Sequence, residues 1–222
     1  MRLTLFDLDN TLLAGDSDHG WGEFAVRHRL VDSEDYRRRN QQFYDDYRAG
    51  HLDQMAYQRF SLEPLARFSQ DELARWHRRF MTETIEPLMS AGSRALVGER
   101  IRAGDLVAVI TSTNRFITAP IARAYGIDHL IATEPQIRDG RYTGSVVGVP
   151  AFREGKIARL DDWLASRDQS RADFDETWFY SDSINDLPLL EVVSHPVAVD
   201  PDRELKLVAA SRGWPLISLR GA

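Results

Sequence analysis

The chain has 222 residues, of which 43% are hydrophobic and 10% aromatic, so it can form a substantial core and is not disordered. No apolar stretch approaches the roughly 20 residues that cross a bilayer, so no membrane association is expected. The formal net charge is −6 and the basic residues are scattered, which argues against a nucleic-acid partner. Cysteine is absent and no secretory signal is evident, so disulfides and thiolate metal sites are excluded and a cytoplasmic location is expected.

The first element is a short buried strand, "LTLF", at residues 3–6. From about Asp16 to Met89 apolar and aromatic residues recur at three- and four-residue spacing, with Ser or Asp near several starts. This stretch therefore predicts about four helices and no strand.

From residue 91 the pattern changes to alternating helices and strands, which is typical of a parallel sheet covered by helices. Asp139-Gly140 lies between two extended segments and predicts a two-residue hairpin. Helices are predicted near residues 91–104, 117–125, 155–166, 184–193 and 202–211, with strands at 106–110, 129–133, 178–181, "PVAV" and "PLISL".

These patterns predict a doubly wound, Rossmann-like α/β fold with an all-helical cap inserted after the first strand. The catalytic core would comprise residues 1–14 and 91–222, and the cap residues 15–90. An insertion at this point lies above the carboxyl ends of the strands, where such folds bind ligands.

Asp7 and Asp9 follow the first strand in "FDLDNTL". Side chains at i and i+2 of an extended segment point the same way, so both carboxylates would project from the end of the strand. The two acids could simply terminate the strand, because Asp and Asn favour turns. The full pattern D-x-D-x-T is more specific and favours a catalytic pair.

Two further strand or helix ends carry polar residues that suit an anion. Thr111 and Ser112 end the second core strand, although polar strand ends are common. Lys156 stands in the first turn of a helix, where a cation opposes the helix dipole. Only one other lysine, Lys206, occurs in a chain rich in arginine, so Lys156 either meets a specific anion or is a solvated surface residue.

Another group of acids follows the buried strand "WFYS". Asp182 lies at the strand end, and Asn185 and Asp186 lie in the first turn of the next helix. Capping explains either acid alone, but both together would crowd negative charge beside Asp7 and Asp9 unless a cation lies among them. An all-oxygen donor set favours Mg²⁺, and the scattered histidines argue against zinc.

The ordered motifs resemble those of the haloacid dehalogenase-like hydrolases, and the helical insertion resembles the cap of the phosphoserine phosphatase-like branch. The resemblance implies that Asp7 is the nucleophile that forms an aspartyl phosphate and that Asp9 is the general acid and base. It further implies that Thr111, Ser112 and Lys156 bind phosphate. Mg²⁺ would be held by Asp7, the backbone carbonyl of Asp9 and Asp182, with Asn185 and Asp186 behind them.

Departures from the family pattern concern the substrate. Phosphoserine phosphatases usually carry two glycines where this chain has Thr113 and Asn114, and a glutamate that binds the substrate ammonium where this chain has Asp16. Asp16 and Asp18 could cap a helix or, with His19 and Trp21, face the pocket and bind a positively charged group. The favoured substrate is a small amine-bearing phosphomonoester, histidinol phosphate or phosphoserine.

Two alternatives stay open at this point. The first is a phosphomutase or phosphotransferase of the same superfamily. The second, more distant, is a non-enzymatic phospho-acceptor of the receiver type or a binding module, although receivers are shorter and have no helical cap. The sequence gives no prediction of the oligomeric state.

Overall fold

A computed structural model of the protein describes residues 1–220, and the strands of that range form a single sheet. In chain order they are β1 (Arg2–Phe6), β2 (Leu106–Asn114), β3 (His129–Arg138), β4 (Arg141–Val147), β5 (Glu176–Ser181), β6 (His195–Val199) and β7 (Leu216–Ile217). Their spatial order is β4-β3-β2-β1-β5-β6-β7, and neighbours are parallel except for β3 and β4. The predicted doubly wound, mainly parallel α/β fold is confirmed.

Between β1 and β2 the chain forms the predicted helical cap. Its helices are α1 (Ser17–Arg27), α2 (Ser33–Arg48), α3 (Gln54–Leu62), α4 (Gln70–Phe80) and α5 (Ala91–Arg102). The cap boundaries, residues 15–90, stay a prediction; α1–α4 fall within them and α5 follows them. The helices of the remaining chain are α6 (Arg115–Ala124), α7 (Glu154–Ala165), α8 (Leu187–Leu190) and α9 (Arg203–Arg212).

The central strand β1 positions the site. Phe6 at its end pairs with Val109 of β2 on one side and with Tyr180 of β5 on the other. From β1 the chain builds outward through β2 and β3, and later through β5 to β7 on the opposite side. The carboxyl ends of β1, β2 and β5 therefore meet at the crevice where such sheets bind ligands.

Apolar side chains cover both faces of the sheet. In β1, Leu3 and Leu5 belong to one buried cluster and Phe6 to the other, as the alternation of a strand requires. The cluster that contains Phe6 also includes Phe24 and Phe80 of the cap helices. Cap and sheet thus share a continuous apolar interior, which fixes the cap over the strand ends.

Most predicted elements are found, although several differ in length: β2 and β3 extend beyond the predicted strands at 106–110 and 129–133. The Asp139-Gly140 hairpin is confirmed: both residues have positive φ, 51° and 72°, as a tight turn between antiparallel strands requires. The helix predicted at 184–193 is shorter, a 3₁₀ turn at Ile184–Asp186 followed by α8, and the final strand β7 has only two residues. None of the helices within residues 1–220 combines the length and apolar character needed to span a bilayer.

The chain enters and leaves the cap through neighbouring segments. Leu13 and Met89 form an isolated antiparallel bridge, and the N–H of Ala14 donates to the carbonyl of Leu88 at 2.8 Å. The two connections are therefore joined to each other directly beneath the cap.

Candidate active site

Asp7 and Asp9 share a pocket at the end of β1. The N–H of Asp7 donates to the Tyr180 carbonyl at 2.9 Å, which extends the pairing of β1 with β5 by one residue. Asp9 keeps an extended backbone, and Asn10 then turns the chain with φ of 56°. Both carboxylates line the same pocket, as the i and i+2 spacing predicts.

Asp182 lies directly after β5 and is connected to Asp7 through Thr11. The Thr11 hydroxyl lies 3.0 Å from Oδ1 of Asp182 and 3.4 Å from Oδ2 of Asp7, and all three residues are buried. Thr11 is the last residue of the D-x-D-x-T pattern, and no role was predicted for it. A hydroxyl two residues after the second acid was the signal that could have identified it.

Lys156 is a buried ion-pair partner and not a solvated surface residue. Its Nζ lies 2.8 Å from Oδ1 of Asp7 and 2.7 Å from Oδ1 of Asp186, and the side chain is 3% exposed. Asp186 also accepts a hydrogen bond of 2.6 Å from the Ser181 hydroxyl. The first turn of α7 thus places a cation between acids that follow β1 and β5.

The pKa values show that one lysine does not balance this group of acids. Burial raises the pKa of Asp7 to about 7 against the lowering effect of Lys156, and Asp186 and Asp9 raise it further. Burial, then the charges of Asp7 and Asp186, raise the pKa of Asp182 well above its usual value. When ionised, the acids of this group therefore carry more negative charge than Lys156 neutralises.

Asp9 has the environment of a general acid. Its carboxylate accepts hydrogen bonds from the N–H of Ser17 at 2.6 Å and from the hydroxyl of Thr113 at 2.8 Å. Burial, followed by the charge of Asp16, raises the pKa of Asp9 to about 7 despite these bonds. A carboxyl group with this pKa can both donate and accept a proton near neutral pH.

Thr111 and Ser112 at the end of β2 line the pocket beside Asp7 and Asp9. The departure from the family pattern after them has a structural explanation. Thr113 donates to Asp9, and Asn114 caps α6 by accepting from the N–H of Ile117 at 3.3 Å. Side chains thus occupy the positions that glycines hold in the phosphoserine phosphatase pattern.

Asn185 is buried next to the acidic group, and its side chain has a partner that the sequence analysis missed. Its Oδ1 accepts hydrogen bonds from Nε and Nη2 of Arg153 at 3.1 Å and 3.0 Å. No motif singled out Arg153, which precedes α7 and lies three residues before Lys156.

The cap closes the pocket from above. Of the cap residues predicted to face it, Asp16, Asp18 and His19 do line it. Within the part of the chain that the structure describes, no Lys or Arg joins this lining. The cap residues that sequence reasoning missed are Asn40, Phe43, Tyr44, Tyr47, Leu52, Gln54 and Tyr57.

Trp21 is not placed in the pocket. Its ring is 4% exposed and packs against Phe24, Phe80 and Phe116, with ring centroids 5.0 to 5.4 Å apart. Trp21 and Phe24 share the face of α1 that turns to the apolar interior, since residues three apart lie on one side of a helix. The prediction that Trp21 faces the substrate is corrected accordingly.

Asp16 and Asp18 differ in the hydrogen bonds that their carboxylate oxygens accept. Asp16 caps α1 by accepting from the N–H of His19 at 2.8 Å, so the capping interpretation holds for this residue. Asp18 is 7% exposed and its Oδ1 has no hydrogen-bond partner. Burial, then the charges of Asp16 and Asp9, raise the pKa of Asp18 well above its usual value, against the lowering effect of the Tyr57 and Thr113 hydroxyls.

Comparison with protein families matches residues 4–191 to the haloacid dehalogenase-like hydrolases. The chain belongs to this family. The matched residues of this hydrolase extend from β1 to the end of α8 and include Asp7, Asp9, Lys156 and Asp182.

Individual relatives of this hydrolase agree with the family assignment. A histidinol-phosphatase of Neisseria meningitidis serogroup C is 48% identical over 99% of both chains. A crystal structure of a protein of unknown function from Bordetella pertussis Tohama I is also 48% identical, covers 98% of both chains and has a TM-score of 0.93. The family match and the Neisseria meningitidis relative confirm the predicted family and its class, a phosphatase.

A substrate-bound phosphoserine phosphatase structure aligns with a TM-score of 0.69 at 18% identity, covering 98% of this chain and 92% of the other. At this identity the likeness concerns the fold, including the cap above the strand ends. The predicted phosphoserine phosphatase-like architecture is confirmed.

Proposed function

We propose that this haloacid dehalogenase-like hydrolase is a Mg²⁺-dependent phosphatase for a small phosphomonoester that carries a protonated amine and no carboxylate. The favoured substrate is histidinol phosphate, the ester named for the Neisseria meningitidis relative. The observation that carries the proposal is the part of the pocket lining that the cap contributes within residues 1–220, which contains Asp16 and Asp18 and no Lys or Arg.

The residues present fit Mg²⁺. Within residues 1–220, no group of three or more acidic or His side chains could hold a metal ion by itself. The side chains of Asp7 and Asp182 with the backbone carbonyl of Asp9 would hold the ion, leaving positions for water, as Mg²⁺ prefers. Burial and, after it, the charges of the neighbouring acids raise the pKa values of Asp7 and Asp182, and a bound cation would balance those charges. The bound ion would supply charge neutralisation for the phosphate and the nucleophile.

In the first step a carboxylate oxygen of Asp7 attacks phosphorus, and the bond between phosphorus and the substrate alcohol oxygen breaks. Asp9 donates its proton to the departing alcohol oxygen, so the alcohol leaves neutral. Lys156, with Thr111 and Ser112, offsets the negative charge of the phosphate oxygens as the anionic nucleophile approaches.

In the second step water attacks phosphorus of the aspartyl phosphate, and the bond between phosphorus and the Asp7 oxygen breaks. Asp9, now deprotonated, takes the proton from this water. The products are inorganic phosphate and the free Asp7 carboxylate, so Asp7 and Asp9 return to their starting states.

The charged side chains that line the pocket favour one of the two amine-bearing candidate substrates over the other. Asp18 has a buried, unpartnered oxygen that suits an N–H donor on a cationic group. The carboxylate of phosphoserine would face Asp16 and Asp18 with no Lys or Arg of the described lining to pair with, which is costly in a buried site. Histidinol phosphate carries an ammonium and an imidazole and avoids this repulsion.

The test is a comparison of kcat/KM on histidinol phosphate and on O-phosphoserine with saturating Mg²⁺. The expected result is a preference for histidinol phosphate of at least about tenfold, equivalent to about 1.4 kcal/mol. A tenfold preference for phosphoserine would overturn the substrate assignment and leave the phosphatase chemistry intact.

A variant pair tests the role of Asp18 directly. Asp18→Asn should lower kcat/KM on histidinol phosphate at least about tenfold and leave p-nitrophenyl phosphate, which has no amine, nearly unchanged. The control is Asp45→Asn, because Asp45 is an exposed cap acid outside the pocket lining. Equal losses on both esters would assign Asp18 to stability and not to substrate binding.

A further inference from the structure

The carboxyl end of α2 forms a wall on one side of the active site. Tyr44 and Tyr47 line the inner pocket that contains Asp7 and Asp9. The same two residues also line an outer cleft that reaches Asp182. The end of α2 therefore separates the catalytic pocket from a cleft that opens to solvent.

Arg153 connects this wall to the acidic group. Its Nη2 donates to the carbonyl of Gly50, just after α2, at 2.7 Å, and to Oδ1 of Asn185 at 3.0 Å. The guanidinium also lies 5.1 Å from the ring centroid of Phe152, whose ring is 6.4 Å from that of Tyr47. One side chain of the core thus holds the end of α2 and a residue beside the catalytic acids.

The backbone of Arg153 is in an unfavourable conformation. Its φ of 51° and ψ of −124° lie in a region that side chains other than glycine rarely adopt. Such a conformation persists only where surrounding contacts enforce it, and it occurs most often at functional sites. In this conformation the guanidinium contacts both Gly50 and Asn185.

We propose that Arg153 is a positioning residue whose guanidinium attaches the end of α2 to Asn185, an attachment that we call the latch. Through the latch, the position of Tyr44 and Tyr47 beside the pocket and the arrangement of the acidic group depend on each other. Loss of the guanidinium frees the wall formed by Tyr44 and Tyr47. As a result, kcat/KM falls more for a substrate whose leaving group fills the inner pocket than for an ester that makes no specific contacts there.

The first test observes the wall in the absence of Mg²⁺ and substrate. The protein is labelled with 3-fluorotyrosine, and the ¹⁹F resonance of Tyr47 is assigned with Tyr47→Phe. Arg153→Met should shift or broaden this resonance. The control Arg159→Met, on the α7 helix that follows Arg153, should not, because Arg159 donates to Ala132 and Glu134 of β3. An unchanged Tyr47 resonance in Arg153→Met would overturn the latch.

The second test compares how the loss of Arg153 changes kcat/KM on two different phosphate esters. In Arg153→Met, the ratio of kcat/KM on histidinol phosphate to kcat/KM on p-nitrophenyl phosphate should fall about tenfold, the effect of losing a charge-assisted hydrogen bond. Arg159→Met should leave the ratio unchanged. An unchanged ratio in Arg153→Met would contradict the coupling. If histidinol phosphate is not a substrate at all, the proposed function fails and the ¹⁹F result still decides the latch.

Arg153→Gly separates the effect of losing the guanidinium from the effect of the unfavourable backbone conformation. Glycine tolerates the positive φ, so this variant should unfold at a higher temperature than Arg153→Met. Its ratio of kcat/KM should nevertheless fall as in Arg153→Met, because the side-chain contacts are lost in both. Wild-type kinetics in Arg153→Gly would show that the side chain has no positioning role.

Discussion

The Thr11 hydroxyl lies 3.0 Å from both the backbone nitrogen and Oδ1 of Asp182, although the two residues are 171 positions apart. The hydroxyl accepts the N–H of Asp182 and donates its single proton to the carboxylate. Asp182 is thereby fixed both in its backbone and in its side chain by a residue of the loop that carries Asp7 and Asp9. This contact sets the geometry in which the acids after β1 and β5 can share a cation.

Thr11→Val should weaken Mg²⁺ binding about tenfold, because loss of a hydrogen bond that orients a ligand typically has this effect. Titration calorimetry with Mg²⁺ measures it. Thr11→Ser keeps the hydroxyl and should restore most of the affinity. The matched control is Thr4→Val, which removes a buried hydroxyl of β1 that bonds to Asp105 instead. Equal Mg²⁺ affinity in Thr11→Val and Thr4→Val would refute the positioning role.

Mg²⁺ should stabilise the protein more at higher pH. Burial raises the pKa values of Asp7 and Asp9 to about 7, so the folded state binds more protons than the unfolded state from roughly pH 4 upward. The stability of the metal-free protein therefore falls as the pH rises through this window to about 7. Mg²⁺ needs the deprotonated carboxylates, so its effect grows over the same range.

Thermal unfolding with and without Mg²⁺, at about pH 5 and about pH 8, checks this linkage. The increase in Tm on adding Mg²⁺ should be larger at the higher pH and absent in Asp182→Asn. An equal increase at both pH values would show that the ion binds elsewhere.

The two lysines of the chain provide a matched pair of variants. Lys156→Met should destabilise the protein by about 3–5 kcal/mol near neutral pH, because it leaves Asp7 and Asp186 buried without their partner. It should also abolish phosphatase activity. Lys206→Met removes an exposed lysine and should change neither. Urea unfolding measures the stability, and the loss should shrink at low pH, where the acids become protonated.

Substitutions of Asp7 and of Asp9 should affect different steps of the reaction. Asp7→Asn removes the nucleophile and should abolish release of phosphate from p-nitrophenyl phosphate. Asp9→Asn keeps the nucleophile and removes the acid and base, so the phosphoenzyme should form slowly and persist. Mass spectrometry of the intact protein should show one added phosphoryl group in Asp9→Asn and none in Asp7→Asn. Persistent activity in Asp7→Asn would refute the nucleophile assignment.

The catalytic edge could be predicted from the sequence because each of its residues follows a recognisable buried strand or begins a helix. Asp7 and Asp182 directly follow β1 and β5, Thr111 is among the last four residues of β2, and parallel pairing places these segments together. Lys156 was ambiguous, since its position in a first turn does not show whether it is buried. Only the packing of α7 against the sheet places it between Asp7 and Asp186.

The cap pocket could not be predicted in the same way. Helical spacing shows which residues share a face but not which face turns to the site, and Trp21 illustrates the error. Tyr47 and Tyr57 come from different helices, α2 and α3, and meet in one lining through contacts between segments distant in sequence. Arg153 was missed because neither its backbone conformation nor its contact with Gly50 leaves a signal in the local sequence.

The bridge between Leu13 and Met89 has a consequence for how such enzymes diversify. Because both ends of the inserted segment meet there, that segment can change in length without moving the ends of β1 and β2 apart. Closing a longer or shorter segment at the same point changes the entropy only slowly with length. A different cap can therefore be inserted between these two residues, and a new substrate pocket can be acquired by replacing one contiguous stretch of the gene.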